Sequence, residues 1–138
     1  MPESPGASQR PTSGAPSTVL VVDDEKLIRE LAARILSRAG FVVVSVANGK
    51  EALDLLAAPN TVDVVLLDLT MPELSGEATL LRIHERWPQL PVVLSSGYSA
   101  DSSSTTLTLL AAGFIQKPYF PEDLVQSLRE AIASFAVS

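Results

Sequence analysis

Short, unbroken apolar runs recur along this chain, and each stops at a polar residue. Val19-Leu20-Val21-Val22 stops at Asp23, Val64-Val65-Leu66-Leu67 at Asp68, and Val92-Val93-Leu94 at Ser95. Runs without polar alternation are what strands need when both faces of their sheet are covered. Between the runs the period changes. From Glu25 to Ala39 apolar residues fall at Ile28, Leu31, Ala32, Ile35 and Ala39, a helical stripe that Gly40 ends. Phe41 to Val46 reads as a second strand. Asn48, with Glu51 three residues on, predicts a capped helix to Ala58, closed by Pro59-Asn60. Val62 to Asp68 is a third strand, after which Ser75 is placed to cap a helix to about Trp87.

The fourth strand runs from Pro91 to Ser95 or Ser96. A helix is expected over Asp101–Ala112, the least stable of the set, because Ser102-Ser103-Ser104-Thr105-Thr106 is a poor helix-forming run. Gly113 to Gln116 is a short fifth strand. Pro121, with Glu122 and Asp123 in the first turn, opens a last helix whose buried face is Leu124, Leu128, Ala131, Ile132 and Phe135. Five strands alternating with five helices give an α/β, doubly wound parallel sheet in one domain, residues 18–138. Residues 1–17 hold four prolines, four serines and two glycines. They are expected to form a disordered Pro/Ser-rich tail or linker, having too little apolar surface to offset the entropy of ordering.

Composition narrows the classes of function. A chain of 138 residues with 46% apolar content can bury one good core. No apolar stretch approaches the roughly 18 to 20 residues that span a bilayer, so no membrane partner is expected. The absence of cysteine excludes disulfides and thiolate metal sites and is compatible with a cytoplasmic location. A net charge of −6 with scattered arginines argues against direct nucleic-acid binding.

The chemistry collects at one edge. In open α/β sheets ligands sit outside the carboxyl ends of the strands, and Asp23, Asp24, Asp68, Ser96 and Lys117 all end strands. In a sheet ordered 2-1-3-4-5 the first and third strands are neighbours, so three carboxylates converge. Two unit charges about 4 Å apart repel by roughly 4 kcal/mol at an effective dielectric near 20. Lys117 and a hard divalent cation are the candidates to offset this, and oxygen-only ligands with waters describe a Mg2+ site. Taken alone, Asp23-Asp24 could equally be a helix cap. Asp68 can act as a carboxylate nucleophile toward a phosphoryl donor, with Lys117, fixed by the Lys117-Pro118 step, as a positive clamp. Ser96, followed by the small Gly97, can hydrogen-bond a phosphoryl oxygen on Asp68; Ser95 competes, because parity in a fully buried strand does not say which faces the site. Phe114 reads first as a core aromatic. His84, among Arg82, Glu85 and Arg86, reads as a solvated surface residue.

Five motifs, Val21-Val22-Asp23-Asp24-Glu25, Leu66-Leu67-Asp68-Leu69-Thr70-Met71-Pro72, Leu74-Ser75-Gly76, Ser95-Ser96-Gly97-Tyr98 and Gln116-Lys117-Pro118, stand in an order and spacing that closely resemble the receiver domain of two-component response regulators. The phrases around Asp68 and Ser96 look most like receivers of hybrid sensor histidine kinases. The resemblance covers nearly all of the chain from Val19 to the last helix. It implies a flavodoxin-like (βα)5 sheet in the order 2-1-3-4-5, and phosphorylation of Asp68 by the phosphohistidine of a histidine kinase or histidine phosphotransfer domain. It implies Mg2+ held by Asp24, Asp68 and the backbone carbonyl of Thr70, with Asp23 contributing through water. Ser96 takes the role of the switch hydroxyl, where the family more often has Thr, and Phe114 that of the rotating aromatic, where it often has Tyr. The lysine role falls to Lys117, with a cis bond to Pro118, while Thr70, Gly97 and Tyr98 tune water access to the site. Output through the Ser/Thr-rich helix, the fifth strand and the last helix to a downstream protein is implied, and a phosphorylation-dependent homodimer is a further expectation.

Two other readings stay open at this stage. One is a Mg2+-dependent phosphohydrolase using Asp68 as nucleophile, as in haloacid-dehalogenase-like enzymes, although those want a second acid where this chain has Thr70. The other is a degenerate receiver used only for docking. A free-standing regulator and a piece of a hybrid kinase are both compatible with the sequence.

Overall fold

The computed structural model describes residues 16–69, 76–97 and 110–136. The strands β1 (Thr18–Val22), β2 (Val42–Val46), β3 (Val62–Asp68), β4 (Val92–Ser96) and β5 (Gly113–Gln116) alternate with helices α1 (Lys26–Arg38), α2 (Gly49–Ala57), α3 (Gly76–Arg86) and α4 (Pro121–Ala136). All strand pairs are parallel, in the order β2-β1-β3-β4-β5. The expected sheet and its order are therefore borne out. The expected tail falls almost wholly outside the described residues, as do Ser75, Thr70, Tyr98 and most of the expected Ser/Thr-rich helix.

Strict alternation along buried strands divides the core in two. Val19, Val21, Val64, Leu66, Val93 and Ile115 point toward α1 and α4, where they meet Ala32, Leu36, Leu124 and Leu128. Leu20, Val22, Val65, Leu67, Val92 and Leu94 point the other way, onto Ala52 and Leu56 of α2 and Leu80 and Ile83 of α3. Both layers being covered is the reason the runs carry no polar alternation. One detail of the helical stripe differs from expectation. Leu36 is fully buried while Leu31 is exposed, because α1 presents Ala32, Ile35 and Leu36 to the sheet and turns Leu27 and Leu31 outward.

Local signals hold the ends of the elements. Asn48 accepts from the Glu51 N–H at 2.9 Å and Glu51 accepts in return from the Ala47 N–H, which satisfies donors that the first turn of α2 cannot pair itself. Asn60 donates to the Leu56 and Ala58 carbonyls at the other end. After α1 the chain reverses at Gly40, whose φ of +100° suits glycine. Between Thr18 and Val19 the β1–β3 register skips Asp63. That extra residue makes up for the interrupted ladder, since its carboxylate accepts the Thr18 N–H at 2.8 Å.

Candidate active site

The carboxyl ends of β1 and β3 lie side by side because their strands pair in register up to Val22 and Leu67. Asp23 and Asp68 follow directly, and both are about 1% exposed, whereas Asp24 is exposed. Carboxylate oxygens of Asp23, Asp24 and Asp68 lie within 4.8 Å of one another. Across from them, the Lys117 ammonium stands 2.8 Å from Asp23 Oδ2, 3.5 Å from Asp68 Oδ1 and 3.8 Å from Glu25 Oε1. The Asp23 carboxylate divides its work. Its Oδ1 accepts the Glu25 N–H at 2.9 Å, a local turn at the start of α1, while its Oδ2 holds the lysine. The N-cap of α1 is Glu25, which carries no side-chain cap bond, so Asp23 closes the turn ahead of the helix rather than capping it, and the charge site takes its other oxygen.

Burial lowers the pKa of Lys117, but its bond to Asp23 and the charges of Asp68 and Asp23 outweigh this and leave it above the ordinary value. The site therefore keeps its ammonium at any ordinary pH. Three carboxylates against one ammonium leave negative charge uncompensated, and the donor set is oxygen only. Those two properties fit a hard divalent cation such as Mg2+.

The strand ends also separate the two serines. Ser95 is paired with Asp68 in the β3–β4 register, lies on the α1/α4 side with Val93, and accepts a hydrogen bond from the Tyr119 hydroxyl at 2.9 Å. Ser96 follows with opposite parity, on the side of Leu94 and of the half-buried Phe114, which packs against the α2/α3 core. His84 is exposed on α3, as expected. Among the described residues nothing lies within 4 Å of the place a Cβ on Gly97 would occupy. The Lys117-Pro118 bond is cis, as the resemblance implied.

Three contributors were not singled out as functional from sequence. Tyr119 is buried beneath the site; its position directly after Lys117-Pro118 was the available signal. Arg29 donates to the Asp23 carbonyl at 2.7 Å, bridging the first turn of α1 to the strand end. Gly76 begins α3 so close to β3 that an added Cβ would stand 2.5 Å from both the Asp68 carbonyl oxygen and the Leu69 Cα. No side chain fits there, so glycine is what lets α3 press onto the strand that carries Asp68.

The site is an open parallel α/β sheet with two buried acids and a lysine gathered at its carboxyl edge. The comparisons with known proteins make the assignment specific: residues 19–129 match the model of the response regulator receiver domain, and the chain belongs to that family. It is a phosphoacceptor signalling module of two-component systems, whose receiver domains work with histidine kinases and downstream effectors. The chain is similar to the sensor kinase CckA of Brucella abortus (32% identical, covering 84% of this chain and 12% of that protein). It is similar also to the DNA-binding transcriptional regulator NtrC of Escherichia coli (35%, covering 85% and 25%). It thus spans a quarter or less of the length of either relative. Among solved structures it resembles the response regulator TrrA of Thermotoga maritima in complex with Mg2+ and BeF (30% identical, TM-score 0.77, covering 83% of this chain and 98% of that one). Among the described residues no helix is long and apolar enough to cross a membrane.

Proposed function

We propose that Asp68 takes a phosphoryl group from the phosphohistidine of a partner kinase or histidine phosphotransfer domain and thereby changes the surface offered to a downstream protein. The observation that carries this reading is the Lys117 ammonium, held by Asp23 within 3.5 Å of Asp68 Oδ1 inside a buried acid cluster. In the step itself, a carboxylate oxygen of Asp68 attacks phosphorus, an acyl phosphate bond forms, and the bond from phosphorus to imidazole nitrogen breaks. The imidazole leaves with the electron pair and takes a proton from solvent. Lys117 is placed to stabilise the charge that Asp68 gains, because a fixed ammonium in a buried site need not reorganise as the reaction proceeds. Asp24, Asp68 and the Thr70 carbonyl, with Asp23 through water, would hold Mg2+, which when bound supplies positive charge to the transferring phosphoryl oxygens.

For the response, Ser96 is the proposed switch hydroxyl, since it shares its side of the sheet with Phe114. Phosphorylation adds about −1.5 to −2 charges, and Ser96 with Lys117 is where that charge would be read. The output face is the segment between β4 and β5 together with β5 and α4. A cytoplasmic setting for residues 18–138 follows from this partner chemistry.

The test is incubation with acetyl phosphate and Mg2+ followed by intact-mass measurement. A single phosphate adduct is expected on the wild type, lost in Asp68→Asn and reduced at least tenfold when Mg2+ is chelated. An adduct that survives Asp68→Asn would remove Asp68 from this role, and no adduct on the wild type would favour a docking-only receiver.

A further inference from the structure

We propose that Tyr119 is a positioning residue for phosphoryl transfer: through Ser95 it fixes the segment carrying Lys117 against the strand carrying Asp68. The inference rests on Asp68 being the phosphoacceptor. Three hydrogen bonds meet at the end of β4. The Ser96 carbonyl accepts the Lys117 N–H and the Ser95 carbonyl accepts the Leu69 N–H, each at 2.9 Å. The Ser95 hydroxyl accepts the Tyr119 O–H, also at 2.9 Å, across 24 residues of sequence. Ser95 therefore bonds both to the residue after Asp68 and to the residue two places after Lys117.

The third bond matters because β5 ends at Gln116, and the Lys117 N–H still bonds the Ser96 carbonyl. Two residues further on, the Tyr119 hydroxyl adds a side-chain link back to β4. Lys117 sits unevenly between its acids, 2.8 Å from Asp23 and 3.5 Å from Asp68. A small slackening of its segment toward Asp23 would withdraw the ammonium from the carboxylate that must accept the phosphoryl group. Misplacement of a reacting geometry by about 1 Å can cost on the order of 100-fold in rate, and a loosened segment should cost a part of that.

Tyr119 is suited to permanent duty. It is 6% exposed. Burial pushes its hydroxyl up to about 12, despite the opposing bond to Ser95, and the charges of Lys117, Asp23 and Asp68 all reach it. It is thus a donor throughout the working pH range and lies electrostatically within the site. The plainer alternative is a core aromatic whose hydroxyl merely needed a partner. That alternative lowers stability on substitution but leaves the rate of the folded protein alone.

The discriminating experiment measures aspartyl-phosphate formation from acetyl phosphate, across donor concentration at saturating Mg2+. The proteins compared are wild type, Tyr119→Phe, Ser95→Ala and the double variant, each shown folded by its amide fingerprint. Each single substitution is expected to lower the maximal rate about tenfold, with KM for the donor and calorimetric Mg2+ affinity within twofold of wild type. The double variant should fall no further than the slower single, since both remove one interaction. An unchanged maximal rate in folded Tyr119→Phe overturns the proposal, and so do single losses that multiply in the double variant. If Tyr119→Phe does not fold, Ser95→Thr and Ser95→Ala carry the test. Threonine, which keeps the hydroxyl, should retain the rate that alanine loses, and equal rates overturn the proposal. A wild type that takes no phosphoryl group overturns the phosphoacceptor reading and this inference with it; a normal wild type with unaffected variants overturns this inference alone.

Discussion

The two rims of this sheet are built from similar residues to opposite ends. At the amino rim of the strands, Asp63 and Asn60 close a set of backbone bonds: a carboxylate on the Thr18 N–H, an amide on the last carbonyls of α2, and Asn60 Oδ1 on the Val62 N–H. Each polar group there completes something the backbone left open. At the carboxyl rim, Asp23, Asp24 and Asp68 crowd within 4.8 Å with Lys117 against them. Charge is concentrated there beyond what the backbone needs. The difference teaches that polar residues at strand ends have two physical uses, and that the number of like charges in reach of one another separates them.

Substitutions should therefore act differently at the two rims. The largest effect on folding is expected from Gly76→Ala, whose new Cβ meets backbone atoms at 2.5 Å that have no room to yield. A loss of about 3 kcal/mol by urea unfolding is predicted, at the upper end of ordinary overpacking. A loss below about 1 kcal/mol would show that α3 can lift away from Asp68 freely.

Next comes the pH dependence set by Tyr119. Its hydroxyl titrates at 10.0 when unfolded and at about 12 when folded. The native state then holds the extra proton between those values, so stability is fully present below pH 10 and falls as pH rises toward 12. Two units correspond to about 2.7 kcal/mol at 1.36 kcal/mol per unit. Lys117, raised by its acids, contributes a slope of the same sign, so the test is the part of the slope that Tyr119→Phe removes. Phenolate absorbance should show a component titrating at about 12 that Tyr119→Phe removes. A Tyr119→Phe protein with an unaltered alkaline slope would contradict this.

Smallest is the amino rim. Asp63→Ala should cost about 1.5 kcal/mol, the value of a hydrogen bond to a charged group, while leaving the rate of phosphoryl uptake within twofold. Altered uptake in Asp63→Ala would mean that the two rims are energetically linked through β3.

Much of this division could be read before any coordinates. Unbroken apolar runs gave the covered sheet, and the residues that stopped them gave Asp23, Asp68 and Lys117 at one edge. Asn48 and Glu51 announced α2 because capping is a local interaction. What stayed hidden depends on contacts between distant segments. Gly76 looks like any helix-opening glycine until β3 lies beneath it. Tyr119 looks like a core aromatic until Ser95, 24 residues away, comes into reach. That Ser95 and Ser96 face opposite sides, with Ser95 opposite Asp68, needed the register of β3 against β4, which no local pattern encodes. The periodicity of α1 allows two overlapping faces, one with Leu31 and one with Leu36, and only packing selects the one that includes Leu36.

The path of α4 has a practical side. It starts beyond β5 at the acid edge and runs back, so that Arg129 bonds the Ala39 carbonyl at the far end of α1. The first strand also starts from that far end, where Ser17 accepts the Val42 N–H. Both ends of the described stretch therefore lie away from the mouth over Asp68, which stays open to a visitor on the opposite side.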